Sequence, residues 1–168
     1  MKERDSTLGG ARVLVVEDDP DTLETVKILL EIKGAEVAGV LCAADAMRAL
    51  ASFRPQILLS DIAMPGEDGF SLIARVRQRS PAEGGRIPAV ALSANVYPEA
   101  HQKALAAGFQ AFLSKPVTAE ALVRAVRAAL DGVSPVERRL AQRRSFGLGR
   151  AVPERRAHHR RQEMQSSF

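Results

Sequence analysis

Short apolar runs alternate with amphipathic segments along most of this chain. The runs at 12–16 and 56–60 consist mainly of Val, Ile and Leu, which is typical of strands buried on both faces of a parallel sheet. Weaker or shorter apolar runs at 36–41, 87–92 and 111–113 predict three further strands. The hydrophobic pattern therefore predicts five short strands.

The segments between these strands show helical spacing and helix-capping residues. Asp19 followed by Pro20 predicts an N-cap with proline at the first helical position. Helices are predicted from Pro20 to a stop at Gly34, over 43–53, over 70–79, over 99–107, and from an N-cap at Thr118 to about Leu130. Five strands in strict alternation with five helices predict an α/β fold, a doubly wound open parallel sheet with helices on both faces.

Length and charge divide the chain into three parts. Its 168 residues are enough for one compact core. We expect a short N-terminal extension over 1–10, a folded domain over 11–132 and a disordered tail over 133–168. Residues 1–133 hold 15 Lys and Arg against 17 Asp and Glu, whereas residues 134–168 hold 9 Arg against 3 Glu. The tail is therefore the basic part of the chain, and it lacks sustained apolar periodicity.

Two further features concern the compartment of the protein. The longest apolar runs are far too short to cross a bilayer, so we expect no membrane insertion and a cytoplasmic location. A single cysteine, Cys42, excludes an internal disulfide framework and fits a reducing compartment. Free cysteines are usually small residues of the core, and we expect the same of Cys42.

Four of the five predicted strands end at polar residues that periodicity does not demand. Glu17 and Asp18 follow the first strand, Asp61 the third, Ser93 the fourth and Lys115 the fifth. Each residue alone has an ordinary explanation, since an acid after a strand is most often a helix cap or a loop residue. Because ligands bind outside the carboxyl ends of the strands in an open parallel sheet, we expect the five residues to meet at one edge.

The chemistry of this set favours a magnesium-bound phosphoryl group. Three clustered carboxylates repel one another, and a proton or a cation relieves that repulsion. Oxygen ligands suit a hard divalent ion such as Mg²⁺. A lysine ammonium and a serine hydroxyl bind further phosphoryl oxygens, and a carboxylate in this setting acts as a nucleophile in aspartyl-phosphate chemistry.

Four segments carry a resemblance to a known family. They are VLVVEDDPDT (13–22), ILLSDIAMPGEDGFSL (57–72), VALSA (90–94) and AGFQAFLSKPV (107–117). In this order and spacing the chain resembles a single-domain receiver of two-component response regulators, over about residues 10–131. The resemblance implies a flavodoxin-like sheet with strand order 2-1-3-4-5.

The resemblance also implies a role for each site residue. Asp61 matches the phosphoacceptor, and Lys115, with Pro116 after it in the family's cis-bonded pattern, matches the lysine that contacts the phosphoryl group. Ser93 matches the hydroxyl residue that follows the phosphoryl group on activation, and Phe112 matches the aromatic switch position.

The resemblance implies a metal site as well. Mg²⁺ (or Mn²⁺) would be held by Glu17, Asp18, Asp61 and the backbone carbonyl of Ala63. The family more often has Asp, Thr and Tyr where this chain has Glu17, Ser93 and Phe112.

The implied function is a phosphorylation-dependent switch. A histidine kinase or a histidine phosphotransfer protein would donate the phosphoryl group, and the chain, although not a classical enzyme, would catalyse its own phosphorylation and dephosphorylation. The signal would pass to a protein target at the face of the fourth helix, the fifth strand and the fifth helix.

Two other functions compete with this switch. The first is a receiver-regulated protein that binds nucleic acid through the arginine-rich tail. The second is a haloacid-dehalogenase-like phosphatase, which also has an aspartyl nucleophile. In that family's motif the threonine lies one position later than Thr22 does in Asp19-Pro20-Asp21-Thr22, so the phosphatase motif does not fit.

Overall fold

The computed structural model describes residues 6–132 of the chain. These residues form five strands, which are β1 (Arg12–Val16), β2 (Glu36–Val40), β3 (Ile57–Asp61), β4 (Ala89–Ser93) and β5 (Ala111–Ser114). The helices that follow the strands are α1 (Pro20–Ile32), α2 (Ala43–Ser52), α3 (Gly69–Arg77), α4 (Pro98–Ala107) and α5 (Ala119–Leu130). Two short 3₁₀ helices cover Ser6–Leu8 and Pro81–Glu83.

All strands pair in parallel, in the order β2-β1-β3-β4-β5. This is the strand order expected of the doubly wound, flavodoxin-like sheet, so the predicted fold class is confirmed. The order reverses direction at β1, and both β1 and β3 lie inside the sheet. Ligands in such sheets bind at the carboxyl ends of the strands beside this reversal.

Two hydrophobic layers enclose the sheet, because successive strand residues point to opposite faces. Leu14 and Leu58 pack against α2, α3 and α4 on one face. Val13, Ile57 and Leu59 pack against α1 and α5 on the other. β3 and β4 are buried at every position, which accounts for their near-continuous apolar sequence and holds their last residues in a fixed place.

The helix starts follow the capping residues of the sequence. The Asp19 side chain accepts a hydrogen bond from the backbone N–H of Asp21, and Pro20 begins α1. The Thr118 hydroxyl accepts one from the backbone N–H of Ala121 at the start of α5. Both predicted N-caps are confirmed, and the observed ends of the other elements lie within two residues of the predicted ones.

Cys42 and Leu8 lie outside the sheet and differ in burial. Cys42 is exposed, so its prediction as a core residue was wrong: it is the N-cap residue of α2, and its thiol donates to Oδ2 of Asp45 at 3.3 Å instead of entering the core. Leu8 lies in the predicted N-terminal extension, yet it is buried in the layer of α1 and α5. The predicted tail, 133–168, lies outside the described residues.

None of the helices within residues 6–132 combines the length and the apolar character that crossing a bilayer requires.

Candidate functional site

The carboxyl edge of the sheet brings the predicted site residues together. Asp61 is the last residue of β3 and pairs in register with Leu92 of β4. Ser93 ends β4 beside Ser114 of β5, and the backbone N–H of Lys115 donates to the carbonyl of Ser93 at 2.8 Å. The strand register therefore places the ends of β3, β4 and β5 side by side.

Lys115 connects two of the buried carboxylates. Its Nζ lies 2.5 Å from Oε2 of Glu17 and 3.0 Å from Oδ2 of Asp61. Glu17 is 1% exposed and Asp61 is 4% exposed, whereas the Lys115 side chain is 20% exposed. The peptide bond between Lys115 and Pro116 is cis, as the resemblance implied. The ammonium thus neutralises part of the negative charge at this edge.

Burial and neighbouring charges both shift the pKa values of Glu17 and Lys115. Burial is the main cause that raises the pKa of Glu17, and the nearby negative charge of Asp61 raises it further against the effect of Lys115. Burial alone would lower the pKa of Lys115, but the hydrogen bonds to Glu17 and Asp61 and the negative charges of both carboxylates together outweigh burial, so its pKa is raised. The lysine therefore stays charged between two carboxylates that compete for it.

Glu17, Asp18 and Asp61 form an oxygen donor set. One carboxylate oxygen from each lies within 4.8 Å of the others. Oε1 of Glu17 accepts from the backbone N–H of Asp19 at 3.3 Å. Oδ1 of Asp61 accepts from the backbone N–H of Ala63 at 3.2 Å. Two buried carboxylates and one that is partly exposed fit the ligand preference of Mg²⁺, which combines a few carboxylates with water and phosphate oxygens.

Asp19, the third acid of the run after β1, has a different role. Its carboxylate accepts from the backbone N–H of Asp21 at 3.1 Å and from Oγ1 of Thr22 at 2.8 Å. The Thr22 hydrogen bond is the main reason that the pKa of Asp19 is lowered. Asp19 is therefore the helix cap, and only its two predecessors belong to the acidic cluster.

Ser93 is linked to the start of α4 through the loop after β4. Its Oγ accepts from the backbone N–H of Asn95 at 3.1 Å, and Oδ1 of Asn95 accepts from the backbone N–H of Tyr97 at 3.0 Å. Tyr97 is the residue that precedes α4. Asn95 was not predicted as a link from the sequence. The signal is nevertheless general, because Asn side chains commonly accept a hydrogen bond from the backbone N–H two residues further along the chain.

Phe112 lies on β5 and is partly buried against the layer of α2, α3 and α4. Its ring centroid lies 5.4 Å from that of His101 on α4, with the ring planes tilted by 35°. This distance is within the range of favourable aromatic pairs. The aromatic position therefore connects β5 with α4 through ring packing.

The comparisons with known proteins agree with this geometry. Residues 13–127 match the family model described as the response regulator receiver domain. The chain is 43% identical over 121 residues to a 14.6 kDa protein from the sodA1 3′ region of Leptolyngbya boryana, covering 72% of this chain and 91% of that protein. It is 35% identical over 126 residues to the transcriptional regulatory protein PrrA of Mycobacterium tuberculosis, covering 75% of this chain but only 52% of PrrA.

A solved structure shows the same fold. The chemotaxis protein CheY4 of Vibrio cholerae matches with a TM-score of 0.66 and 27% identity, covering 71% of this chain and 98% of that one. Sheet order, acidic cluster, strand-end lysine and the family match all agree. The chain therefore belongs to the receiver-domain family of two-component response regulators, whose members carry out phosphoryl-accepting signalling.

Proposed function

We propose that this chain accepts a phosphoryl group on Asp61 from the phosphohistidine of a histidine kinase or a histidine phosphotransfer protein. The observation that carries the proposal is the Lys115 ammonium, which contacts both Glu17 and Asp61 at the carboxyl edge. A charged lysine beside a nearly buried carboxylate marks the place where a phosphoryl group would be neutralised.

Mg²⁺ (or Mn²⁺) is the cofactor that the donor set supports. Glu17, Asp18 and Asp61 supply three carboxylates within reach of one another, and the backbone carbonyl of Ala63 is the proposed fourth protein ligand. When bound, the metal would offset negative charge on the phosphoryl oxygens. The proposal predicts that the cation binds before or together with the phosphoryl donor.

The residues of the chain divide the transfer reaction among them. An oxygen of the Asp61 carboxylate forms a bond to phosphorus while the phosphorus–nitrogen bond of the phosphohistidine breaks, and the imidazole leaves with the electron pair. Lys115 holds a phosphoryl oxygen, and the Ser93 hydroxyl donates to another. In-line phosphoryl transfer needs little more than positioning and charge neutralisation. Hydrolysis of the resulting acyl phosphate by water resets Asp61.

Ser93 is the proposed start of the conformational change. Once its hydroxyl turns to the phosphoryl group, the hydrogen bond from Asn95 is lost, and the loop that leads to Tyr97 and α4 moves with it. α4 carries His101, which packs against Phe112 of β5, so the movement reaches β5. The charge added at Asp61 thus changes the conformation of the surface formed by α4 and β5.

The proposed target of the signal is a protein that binds the face of α4, β5 and α5. Val96 and Tyr97 before α4 and Leu105 on α4 are large apolar side chains exposed to solvent. Exposed apolar groups near a charged switch favour a protein contact. Nucleic-acid binding through the arginine-rich tail concerns residues outside 6–132, and no comparison supports it.

Intact-mass measurement tests the proposed function. The full chain is incubated with acetyl phosphate and MgCl₂, and Asp61→Asn is treated in parallel. We expect the native chain to gain the mass of one phosphoryl group and Asp61→Asn to gain none. An equal gain in both proteins, or no gain in the native chain, would contradict the proposal.

A further inference from the structure

Helix α3 begins against the main chain of the phosphoacceptor. The backbone N–H of Gly69, its first residue, donates to the carbonyl of Ile62 at 2.9 Å. A Cβ added to Gly69 would lie 2.4 Å from the carbonyl oxygen of Asp61 and 2.8 Å from Cα of Ile62. The φ of Gly69 is not in the left-handed region, so this position requires glycine because of space and not because of its dihedral angles.

The atoms that Gly69 approaches cannot give way easily. They are main-chain atoms at the end of β3, which is buried at every position and hydrogen-bonded to both neighbouring strands. A flexible side chain could rotate away from a new methyl group, whereas this backbone would have to shift as a unit. Any side chain at position 69 therefore displaces either α3 or Asp61.

The side chain of Ser60 also contacts the carbonyl oxygen of Asp61. It is fully buried, and its hydroxyl donates to the carbonyl oxygen of Asp61 at 2.9 Å. Side chains alternate along a strand, so Ser60 lies on the face of the sheet opposite the Asp61 carboxylate. A buried hydroxyl that is paired in this way fixes the orientation of the Asp61 peptide group.

We propose that Ser60 and Gly69 are positioning residues of the phosphoacceptor. Together they hold the Asp61 main chain, so that the carboxylate keeps its place beside Lys115 and the other acids. This inference rests on the proposed function of Asp61. Displacing a reacting group by about 1 Å costs about a hundredfold in rate, so a small main-chain shift is enough to be measured.

Gly85 offers a matched control. A Cβ added there would lie 2.0 Å from the carbonyl oxygen of Arg79, and the φ of Gly85 is also outside the left-handed region. Gly85 lies before β4, at the edge of the sheet away from the end of β3 where Asp61 lies. Gly85→Ala therefore forces a methyl group against a backbone carbonyl without touching the site.

The experiment compares the full-length native chain with Gly69→Ala and Gly85→Ala. Thermal unfolding measures stability, calorimetric titration with MgCl₂ alone measures metal affinity, and intact mass follows phosphorylation by saturating acetyl phosphate. For Gly69→Ala we expect Mg²⁺ affinity and the maximal phosphorylation rate to fall by about tenfold or more. For Gly85→Ala we expect a comparable loss of stability, with affinity and rate within about twofold of the native chain.

Ser60→Ala decides the question if Gly69→Ala does not fold. It removes only one hydroxyl, and we expect the maximal rate to fall about three- to tenfold, which corresponds to one neutral hydrogen bond. The inference is overturned if the native chain is phosphorylated but the folded variants at 60 and 69 keep its rate within twofold. It is also overturned if Gly85→Ala loses rate as much as Gly69→Ala. If the native chain itself gains no phosphoryl group, the proposed function fails instead.

Discussion

The Nζ atom of Lys115 lies 3.0 Å from Oδ2 of Asp61, although a whole strand separates the two residues in the sheet. Asp61 ends β3 and Lys115 follows β5, with β4 between them. Neighbouring strands lie about 4.8 Å apart, so the two strand ends are about 10 Å apart and the long lysine side chain spans the gap. The contact exists only when three strands are correctly assembled, which couples the site to the fold.

Replacement of this lysine tests its electrostatic role. In metal-free buffer we expect Lys115→Met to lower the free energy of unfolding by about 3 kcal/mol, because two buried carboxylates lose their cation. Saturating Mg²⁺ should restore most of this loss. Urea unfolding measures both values. Lys27→Met is the control, since Lys27 pairs with Glu24 on the surface at 3.4 Å, and we expect a change within about 0.5 kcal/mol.

The pH dependence of stability reports on Glu17. Its pKa is raised above the ordinary value of 4.5 by burial and by Asp61, so the folded state binds its proton at a higher pH than the unfolded state. The cost of the buried charge is therefore present at neutral pH and is relieved as pH falls through the raised pKa. In metal-free urea titrations, the unfolding free energy of the native chain should rise relative to that of Glu17→Gln as the pH falls from neutral through the raised pKa toward 4.5. A stability difference that does not change with pH would show that Glu17 titrates normally.

Variants of Ser93 test its roles in phosphorylation and in the conformational response separately. We expect Ser93→Ala to accept a phosphoryl group about tenfold more slowly, because one hydrogen bond to the charged group is lost. Hydrogen exchange in the segment 94–103 should change on phosphorylation of the native chain and stay constant in Ser93→Ala. Ser93→Thr keeps the hydroxyl and should keep the response. A full response in Ser93→Ala would remove Ser93 from the switch.

The Arg77 side chain binds backbone groups that precede β4 and β5, at the edge of the sheet opposite the site. Its guanidinium donates to the backbone carbonyls of Gly85, Ile87 and Gly108 and to Oε1 of Gln110. Arg77→Lys keeps the charge but cannot reproduce this planar fork, so we expect a loss of about 2–3 kcal/mol in unfolding free energy. Phosphorylation by acetyl phosphate should continue at the native rate. Arg75→Lys, which alters the ion pair with Glu67 and leaves the hydrogen bonds of Arg77 in place, is the matched control.

The sequence predicted the features that follow from local patterns. The apolar runs Val13–Val16 and Ile57–Leu59 predicted the buried strands β1 and β3, and the Asp19–Pro20 pair predicted the start of α1 because a cap acts on adjacent residues. The meeting of Asp61 and Lys115 could also be predicted, since the carboxyl ends of parallel strands share an edge.

The features that escaped prediction depend on contacts between distant segments. Arg77 lies in a predicted helix, and no local pattern indicates its partners, because the groups that it binds lie 8 to 33 positions further along the chain, outside that helix. Gly69 stands in the sequence only as one residue of the matched segment 57–72, and its need for space is visible only once α3 lies on β3. The usual burial of free cysteines placed Cys42 in the core, whereas its position at the N-cap of α2 leaves it exposed.

Chemical location of the phosphoryl group tests the central claim most directly. After treatment with acetyl phosphate and MgCl₂, borohydride reduction converts an aspartyl phosphate to homoserine, and peptide mapping finds the altered residue. We predict homoserine at position 61 alone, in an amount that matches the phosphoryl group gained. Reduction at Asp18, or a stable phosphoryl group with Asp61 intact, would contradict the account.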